Sequence, residues 1–277
     1  MMGVFAMIKK SINLLKSNSS ILIFYAAFYA ITLLILFLLY PRNLNSFINI
    51  NTFYPFVYMI AILKICVAMV LIYGLSITFI SGFGLMIKEA VITGKTSTSS
   101  FLPGLKKYFV RILLMSLLLF AFAIGFSFAI SIITIPIMLT QMVNVGFENL
   151  QNFQNTQNFQ NLKNMSLSIS LFTTSLTIIA IPFIILWLPS IFIDDVKIIQ
   201  GLKNGVKAGV KNYWKLLVYL VIIYIPIMIY QIFSFDTMMN GVIFTPGYIA
   251  ILILEACLSI VILPIFYMIY NDNKTGR

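Results

Sequence analysis

The chain alternates between long apolar runs and shorter polar or basic segments. A helix needs about 20 apolar residues to cross the roughly 30 Å hydrocarbon layer of a membrane. Six runs approach or exceed that length, at about residues 21–40, 55–87, 112–139, 167–193, 216–233 and 247–270. The pattern predicts an all-α, polytopic transmembrane bundle of six spans that forms a single integral membrane domain over residues 1–277.

Basic, amphipathic segments precede the odd-numbered spans. In residues 198–215, Ile199, Leu202 and Val206 share a helical face, and lysines recur every four residues beside it. Such a helix lies at the membrane surface with its lysines among the lipid phosphates. We predict cytoplasmic surface helices whose basic side chains are Lys9, Lys10, Lys16, Lys106, Lys107, Arg111, Lys203, Lys207, Lys211 and Lys215.

The three basic segments resemble one another. They read LKSNSSILI (15–23), LKKYFVRIL (105–113) and VKNYWKLLV (210–218). This internal similarity predicts three two-span units, at residues 1–93, 94–195 and 196–277. The alternative is that any helix entering from the cytoplasm requires a basic and aromatic start.

The positions of the charges predict an orientation. Of the 18 Lys and Arg residues, 15 fall on one side of the predicted spans, and the net charge is +11. Because positive residues stay in the cytoplasm, we expect a cell-membrane protein with both termini inside. The same charges indicate anionic membrane lipids as partners. Because topology and lipid contact account for the positive net charge, we expect no binding of nucleic acid.

Composition also limits the chemistry. The chain has no histidine, only 9% charged residues, and two cysteines that both lie in apolar runs. We therefore expect no metal site, no cofactor and no enzymatic activity. Asp194 and Asp195 end the fourth span just before Lys197, and we interpret them as a solvated turn rather than a catalytic pair.

Lys64 and Glu255 are the charges predicted to lie well inside spans. Each lies about eight or nine residues from the start of its span, so the two have similar depth and opposite sign. We predict a Lys64–Glu255 pair facing the bundle interior, as a substrate, proton or ion site or as a structural pair. The remaining alternative leaves Lys64 turned outward and Glu255 protonated.

These charges lead to two functional hypotheses. The first is a transporter-like or permease-like protein with an intramembrane polar site. The second is a non-transporting protein that binds lipid, shapes the membrane or acts as a scaffold through its basic surfaces.

Several local features predict details of the bundle. Residues 53–87 form one long tilted helix rather than two spans, and Gly74, Gly82 and Gly84 allow close helix contacts. Residues 141–164, which contain a triplet repeat of Gln and Asn, favour a weakly ordered loop with transient helix, and a structural glutamine/asparagine ladder is the alternative. Prolines inside spans are expected to kink helices, at Pro136, Pro182, Pro226 and Pro264.

One segment resembles a known group of membrane domains. An acidic residue, an amphipathic basic helix, an Asn and an aromatic residue that opens a span follow one another in residues 194–221. The residues that carry the likeness are Asp194, Asp195, Leu202, Val206, Asn212 and Trp214. They resemble a family of prokaryotic six-span membrane domains, similar to the membrane domain attached to some glycerophosphodiester phosphodiesterases. The resemblance implies a membrane domain and no particular chemistry.

Overall fold

The computed structural model describes residues 3–39, 55–145, 156–239 and 246–275. Throughout these ranges the regular structure is helical, without strands. The described helices are α1 (Val4–Ser17), α2 (Ser19–Leu39), α3 (Pro55–Thr93), α4 (Phe101–Val145), α5 (Thr156–Ile184), α6 (Trp187–Asp194), α7 (Ile198–Lys211), α8 (Tyr213–Met239) and α9 (Pro246–Thr275). A single 3-10 turn, Thr98–Ser100, precedes α4.

The all-α fold with six membrane-spanning helices is confirmed. Six helical stretches among the described residues are long and apolar enough to cross a membrane. They are Ser19–Leu39, Ile62–Thr93, Thr98–Ile132, Leu167–Asp194, Tyr213–Tyr230 and Ile249–Thr275. This is the architecture of an integral membrane protein.

The third and fourth helices are longer than a membrane is thick. α3 is one continuous helix of 39 residues, as predicted, and extends roughly 58 Å at the usual rise per residue. α4 continues to Val145 and α5 begins at Thr156, so the prediction of a loop is wrong for residues 141–145 and 156–164. The middle of that segment lies outside the described residues.

The buried core lies mainly at one end of the bundle. This basic end carries α1, the turn at residues 94–100, and α7. Its fully buried side chains are large and mostly apolar, and they include Met86, Ile87, Tyr108, Ile112, Trp187, Ile191, Phe192 and Tyr267. Towards the opposite end the helices expose apolar residues, for example Phe128 on α4 at 71%. Such a surface suits contact with lipid rather than water.

Two glycines of α3 let aromatic rings approach the helix closely. A Cβ at Gly82 would lie 2.6 Å from the Phe101 ring, and one at Gly84 would lie 2.3 Å from the Phe192 ring. The prediction for these two positions is confirmed. It is wrong for Gly74, because no atom of another described residue is found within 4 Å of the equivalent point there.

The fourth span is broken into two helices. α5 ends at Ile184 and α6 begins at Trp187, between Pro182 and Pro189. Proline 189 has no N–H to donate to the carbonyl of Ile185, so the regular hydrogen-bond ladder fails there. The other intraspan prolines lie within continuous helices, at Pro136 in α4, Pro226 in α8 and Pro264 in α9.

The first and third basic segments have the same local geometry. α1 and α7 each contain 14 residues, and each ends at an asparagine followed at once by an apolar helix. The Asn18 side-chain amide donates to the Leu14 carbonyl at 2.8 Å, and that of Asn212 donates to the Ala208 carbonyl at 3.0 Å. The second segment begins directly within α4 and lacks a separate surface helix. The division into three units stays a prediction.

Candidate functional site

Glu255 lies on α9 beside a partly open cavity that is lined by four helical segments. The carboxyl-bearing side chain is half-buried, and the cavity has a volume of about 220 Å³. Its walls come from α2, from the α5 end and the turn that follows it, and from α8 and α9. Most of these side chains are aliphatic, so the carboxyl group is a polar centre within an apolar enclosure.

Hydroxyl groups share the cavity with the carboxyl group. Tyr25, Tyr224 and Ser259 all line it together with Glu255. The hydroxyls of Tyr25 and Tyr29 lie 3.3 Å apart on successive turns of α2. The site can therefore offer a carboxylate together with several hydroxyl donors.

Aromatic packing fixes the position of Tyr25. The Tyr25 side chain is only 8% exposed, and its ring lies 5.7 Å from the Phe83 ring and 6.1 Å from the Phe79 ring on α3. Phe79 and Phe83 stack on each other at 4.5 Å. Because α3 holds this ring against the cavity, the Tyr25 hydroxyl has a defined place beside Glu255.

Lys64 does not pair with Glu255. The Lys64 side chain is exposed on α3, and the described residues that line the Glu255 cavity include none from α3. No ion pair found among the described residues joins the two. The pairing prediction is corrected because equal depth along two helices does not determine which way their side chains face. Among the described side chains that line its cavity, Glu255 has hydroxyl neighbours and no basic one.

A lateral groove adjoins this cavity. It runs between α2 and α9, has a volume of about 430 Å³, and is lined by Tyr25, Tyr29 and otherwise apolar side chains that include Ala26, Ala30 and Ala256. Tyr25 lines both the groove and the Glu255 cavity. The two spaces therefore meet at one tyrosine.

Asp195 forms a second polar centre at the basic end. It accepts hydrogen bonds from Lys107 Nζ at 2.5 Å and from Arg111 Nη1 at 2.8 Å, both on α4. Partial burial alone would raise the pKa of the Asp195 carboxyl, but these bonds outweigh it and hold that pKa below its ordinary value of 3.8. Two of the ten predicted surface cations thus bind a carboxylate of the same chain.

Asp194 connects three helices. It ends α6, accepts a hydrogen bond from Tyr270 of α9, and lies 2.8 Å from Lys274 Nζ of the same helix. Asn204 of α7 donates to it at 2.9 Å. The prediction that these aspartates end a helix is confirmed, and Asp195 is exposed. Their role goes beyond that of a solvated turn, because together they tie α4, α7 and α9 to the end of α6.

α7 has three distinct faces. Its glycine face packs on the broken span, where a Cβ at Gly205 would lie 2.6 Å from the Trp187 backbone. Part of the apolar arc is left outside, with Ile199 79% exposed and Val210 55% exposed, while Leu202 is half-buried against the core. The lysine face, Lys203, Lys207 and Lys211, is also exposed. α7 can therefore offer an apolar stripe and a basic stripe to a membrane at the same time.

The remaining predicted basic residues are at the same end. Lys9, Lys10, Lys16 and Lys106 are exposed, and Lys215 is half-buried at the start of α8. Cys66 and Cys257 are both free thiols. Within the described ranges, no three His, Cys, Asp or Glu side chains group as they would around a metal ion.

Comparison with known proteins places the chain in a family. The model of a domain of unknown function, DUF7847, matches residues 2–270. The chain belongs to this family. No curated protein matches it, and no solved structure does. The Glu255 cavity and both aspartates lie within the matched DUF7847 region.

The sequence identified Glu255 as a residue of the Glu255 cavity, but it did not identify the other polar residues that line the cavity. Glu255 is conspicuous as a carboxylate in an apolar run, whereas Tyr25, Tyr224 and Ser259 resemble many other residues of the chain. The role of Asp195 was missed because its partners Lys107 and Arg111 lie more than 80 residues away. Lys107 and Arg111 are four residues apart and therefore lie on one face of α4. This spacing is the sequence signal that indicates a shared acidic partner, although it does not identify Asp195.

Proposed function

We propose that this protein is a transporter-like membrane protein and that the Glu255 cavity is its ligand or proton site. The supporting observation is a half-buried carboxylate among apolar helices that has hydroxyl neighbours and, within the part of the chain that the structure describes, no basic partner. An ionised group in such a place is costly unless a proton, an ion or a ligand compensates its charge. Intramembrane carboxylates that face a cavity are typical of substrate and proton pathways.

The proposal includes a location and an orientation. The protein is a multi-pass protein of the cell membrane, with α1, α7 and both termini on the cytoplasmic side. Support comes from the excess of Lys and Arg at that end. The likeness of residues 194–221 to phosphodiesterase-associated membrane domains stays a prediction and adds no chemistry. No enzymatic activity and no cofactor are proposed.

Thiol accessibility tests the proposed function. We would replace Cys66 and Cys257, introduce Glu255→Cys, and add a membrane-impermeant thiol reagent to each side of sealed vesicles. A transport site requires water to reach this position, so we expect Cys at 255 to react from at least one side. Ile253→Cys is the matched control, because Ile253 is 52% exposed in the lateral groove, where we expect lipid. Equal, negligible labelling of both positions would contradict the proposal.

A second candidate function is binding of anionic lipid. It is favoured by α7, which exposes an apolar arc beside three lysines while its glycine face is held by the protein. This hypothesis predicts that replacing Lys203, Lys207 and Lys211 by Gln lowers the anionic lipid that co-purifies with the protein. It also predicts that Lys64→Met and Glu255→Gln leave that lipid unchanged. If the lysine variants left the lipid unchanged and Glu255→Gln lowered it, the result would favour the Glu255 site.

A further inference from the structure

The groove beside the Glu255 cavity has a length and an apolar lining that suit an alkyl chain. Its α2 wall extends from Leu22 to Leu33, which is about 16 Å at the usual rise per residue. Alanines at 26, 30 and 256 keep it open, and its lining residues carry no charge. Leu22 and Ile253 at its margin are exposed on the apolar surface of the bundle. The groove therefore opens sideways, towards the position of lipid.

The groove and the cavity are neighbouring spaces that adjoin at Tyr25. Tyr25 lines both, and Ala256 of the groove follows Glu255 directly in α9. A chain lying in the groove would bring the group at its end to Tyr25 and the Glu255 carboxyl. The cavity of about 220 Å³ has room for a small polar head.

Charge determines which head fits. Glu255 is the sole charged residue among the described side chains that line the two spaces. A neutral head would leave the carboxylate without a counter-charge, and an anionic head would repel it. A cationic head would pair with the carboxylate and would also meet the tyrosine rings, whose faces attract cations.

We propose that the protein binds lipophilic cations of the alkylammonium class, which enter from the bilayer along the α2–α9 groove and place their charged head at Glu255. The proposal rests on the function proposed above and adds a ligand class and a route. The groove holds the apolar chain, and the cavity holds the ammonium group. Tyr25 stands at the junction between them.

Binding to the full chain in nanodiscs of uncharged lipid tests this. The probe is dodecyltrimethylammonium below its micelle-forming concentration, titrated calorimetrically with empty nanodiscs subtracted. Dodecanol, which has the same chain and no charge, is the matched ligand. We expect the wild-type protein to bind the cation at least about tenfold more tightly than the alcohol. Equal binding of the two would overturn the ligand class.

Two pairs of variants separate charge from route. Glu255→Gln should weaken cation binding about tenfold, whereas Lys64→Met, which removes the exposed charge on α3, should not. Ala30→Phe fills the groove and should weaken binding similarly. Ala27→Phe makes the same change on an exposed position of α2 outside the groove, and it should bind as the wild type does. Equal binding by the two phenylalanine variants would overturn the lateral route.

The outcome is distinguishable from failure of the proposed function. Labelling of Cys at 255 reports access of water and does not depend on any organic cation. Labelling without cation binding would leave the transport proposal standing and refute the ligand class. Cation binding that depends on Glu255, without labelling from either side, would support the ligand class and refute transport.

Discussion

Asp195 combines an unusual backbone conformation with two ion pairs. Its φ of 53° lies in the left-handed region, which Asp and Asn adopt more readily than other non-glycine residues. Its carboxylate binds Lys107 and Arg111 from two successive turns of α4. Asparagine at this position keeps the tolerance for the left-handed backbone conformation and removes the carboxylate charge. The substitution therefore tests the ion pairs separately from the backbone.

We expect Asp195→Asn to lower the free energy of unfolding by about 1 kcal/mol, the usual magnitude for partly exposed ion pairs. The measurement is thermal or denaturant unfolding of the detergent-solubilised protein. Lys107→Met should act in the same direction, since it removes one partner. Lys106→Met is the matched control, because this neighbouring lysine is exposed and points to no carboxylate among the described ion pairs. Equal loss from both lysine variants would exclude the specific pair.

The lowered pKa of Asp195 predicts a pH dependence. A carboxyl group with a lower pKa in the folded than in the unfolded state stabilises the fold above the unfolded value. This stabilisation is lost as the pH falls below about 3.9 towards the lower folded pKa. The stability difference between wild type and Asp195→Asn should therefore be full at neutral pH and shrink below that point. A difference that grew in acid would contradict the assignment.

At the scale of elements, the contact between α6 and α7 depends on glycine. Gly205 approaches the Trp187 backbone, and Gly209 approaches the Pro182 carbonyl near the break in the span. Trp187 also donates its indole N–H to the Ile198 carbonyl at 3.0 Å, and the Ser190 hydroxyl donates to the Gly201 carbonyl at 2.6 Å. The break between α5 and α6 therefore packs closely against α7 because glycines occupy the contact face of α7.

Gly205→Ala should destabilise the protein by about 1–3 kcal/mol, because its methyl group meets backbone atoms that must move. Gly74→Ala is the matched control in an apolar helix. That position has no neighbour within 4 Å, so the better helix propensity of alanine should stabilise the protein by about 0.5–1 kcal/mol. Unfolding of both variants in the same detergent measures the contrast. Opposite signs are expected, and two equal effects would contradict the packing argument.

The sequence predicted which segments are helices better than it predicted their contacts. Apolar length reveals each span, and Asn18 and Asn212 follow clear amphipathic patterns, so α1 and α7 were foreseen. The break at Ile185 was expected only as a kink, since the effect of Pro182 and Pro189 depends on what packs against the freed carbonyls. The Lys64–Glu255 pair failed for a related reason, because sequence gives depth along a helix but not its rotation about its axis.

At the scale of the whole molecule, packing is unequal between the two ends. Buried side chains and the described ion pairs concentrate at the basic end, whereas the opposite halves of α3 and α4 expose large apolar residues. Composition predicts this tendency only partly. Apolar residues serve equally well against lipid or against another helix, so hydropathy alone cannot divide them between the two.

Thiol labelling of the basic end should establish the orientation in the membrane. Ser99 and Lys203 are exposed at that end, in the turn before α4 and on α7. In a chain without Cys66 and Cys257, we expect Cys at 99 or 203 to react with an impermeant reagent only after cells are opened. The excess of basic residues on this side is the physical reason. Labelling at both positions in intact cells would contradict this orientation and place the basic end outside the cell.

α9 joins the Glu255 cavity to Asp194. Glu255 lies about a third of the way along the helix, while Tyr270 and Lys274, which hold Asp194, lie 15 or more residues further on, roughly 22 Å away. Pro264 falls between them and cannot donate to the carbonyl of Ile260, so bending is easier there than elsewhere in the helix. A bend at Pro264 would therefore move the arm of α9 that carries Glu255 relative to the arm that holds Asp194.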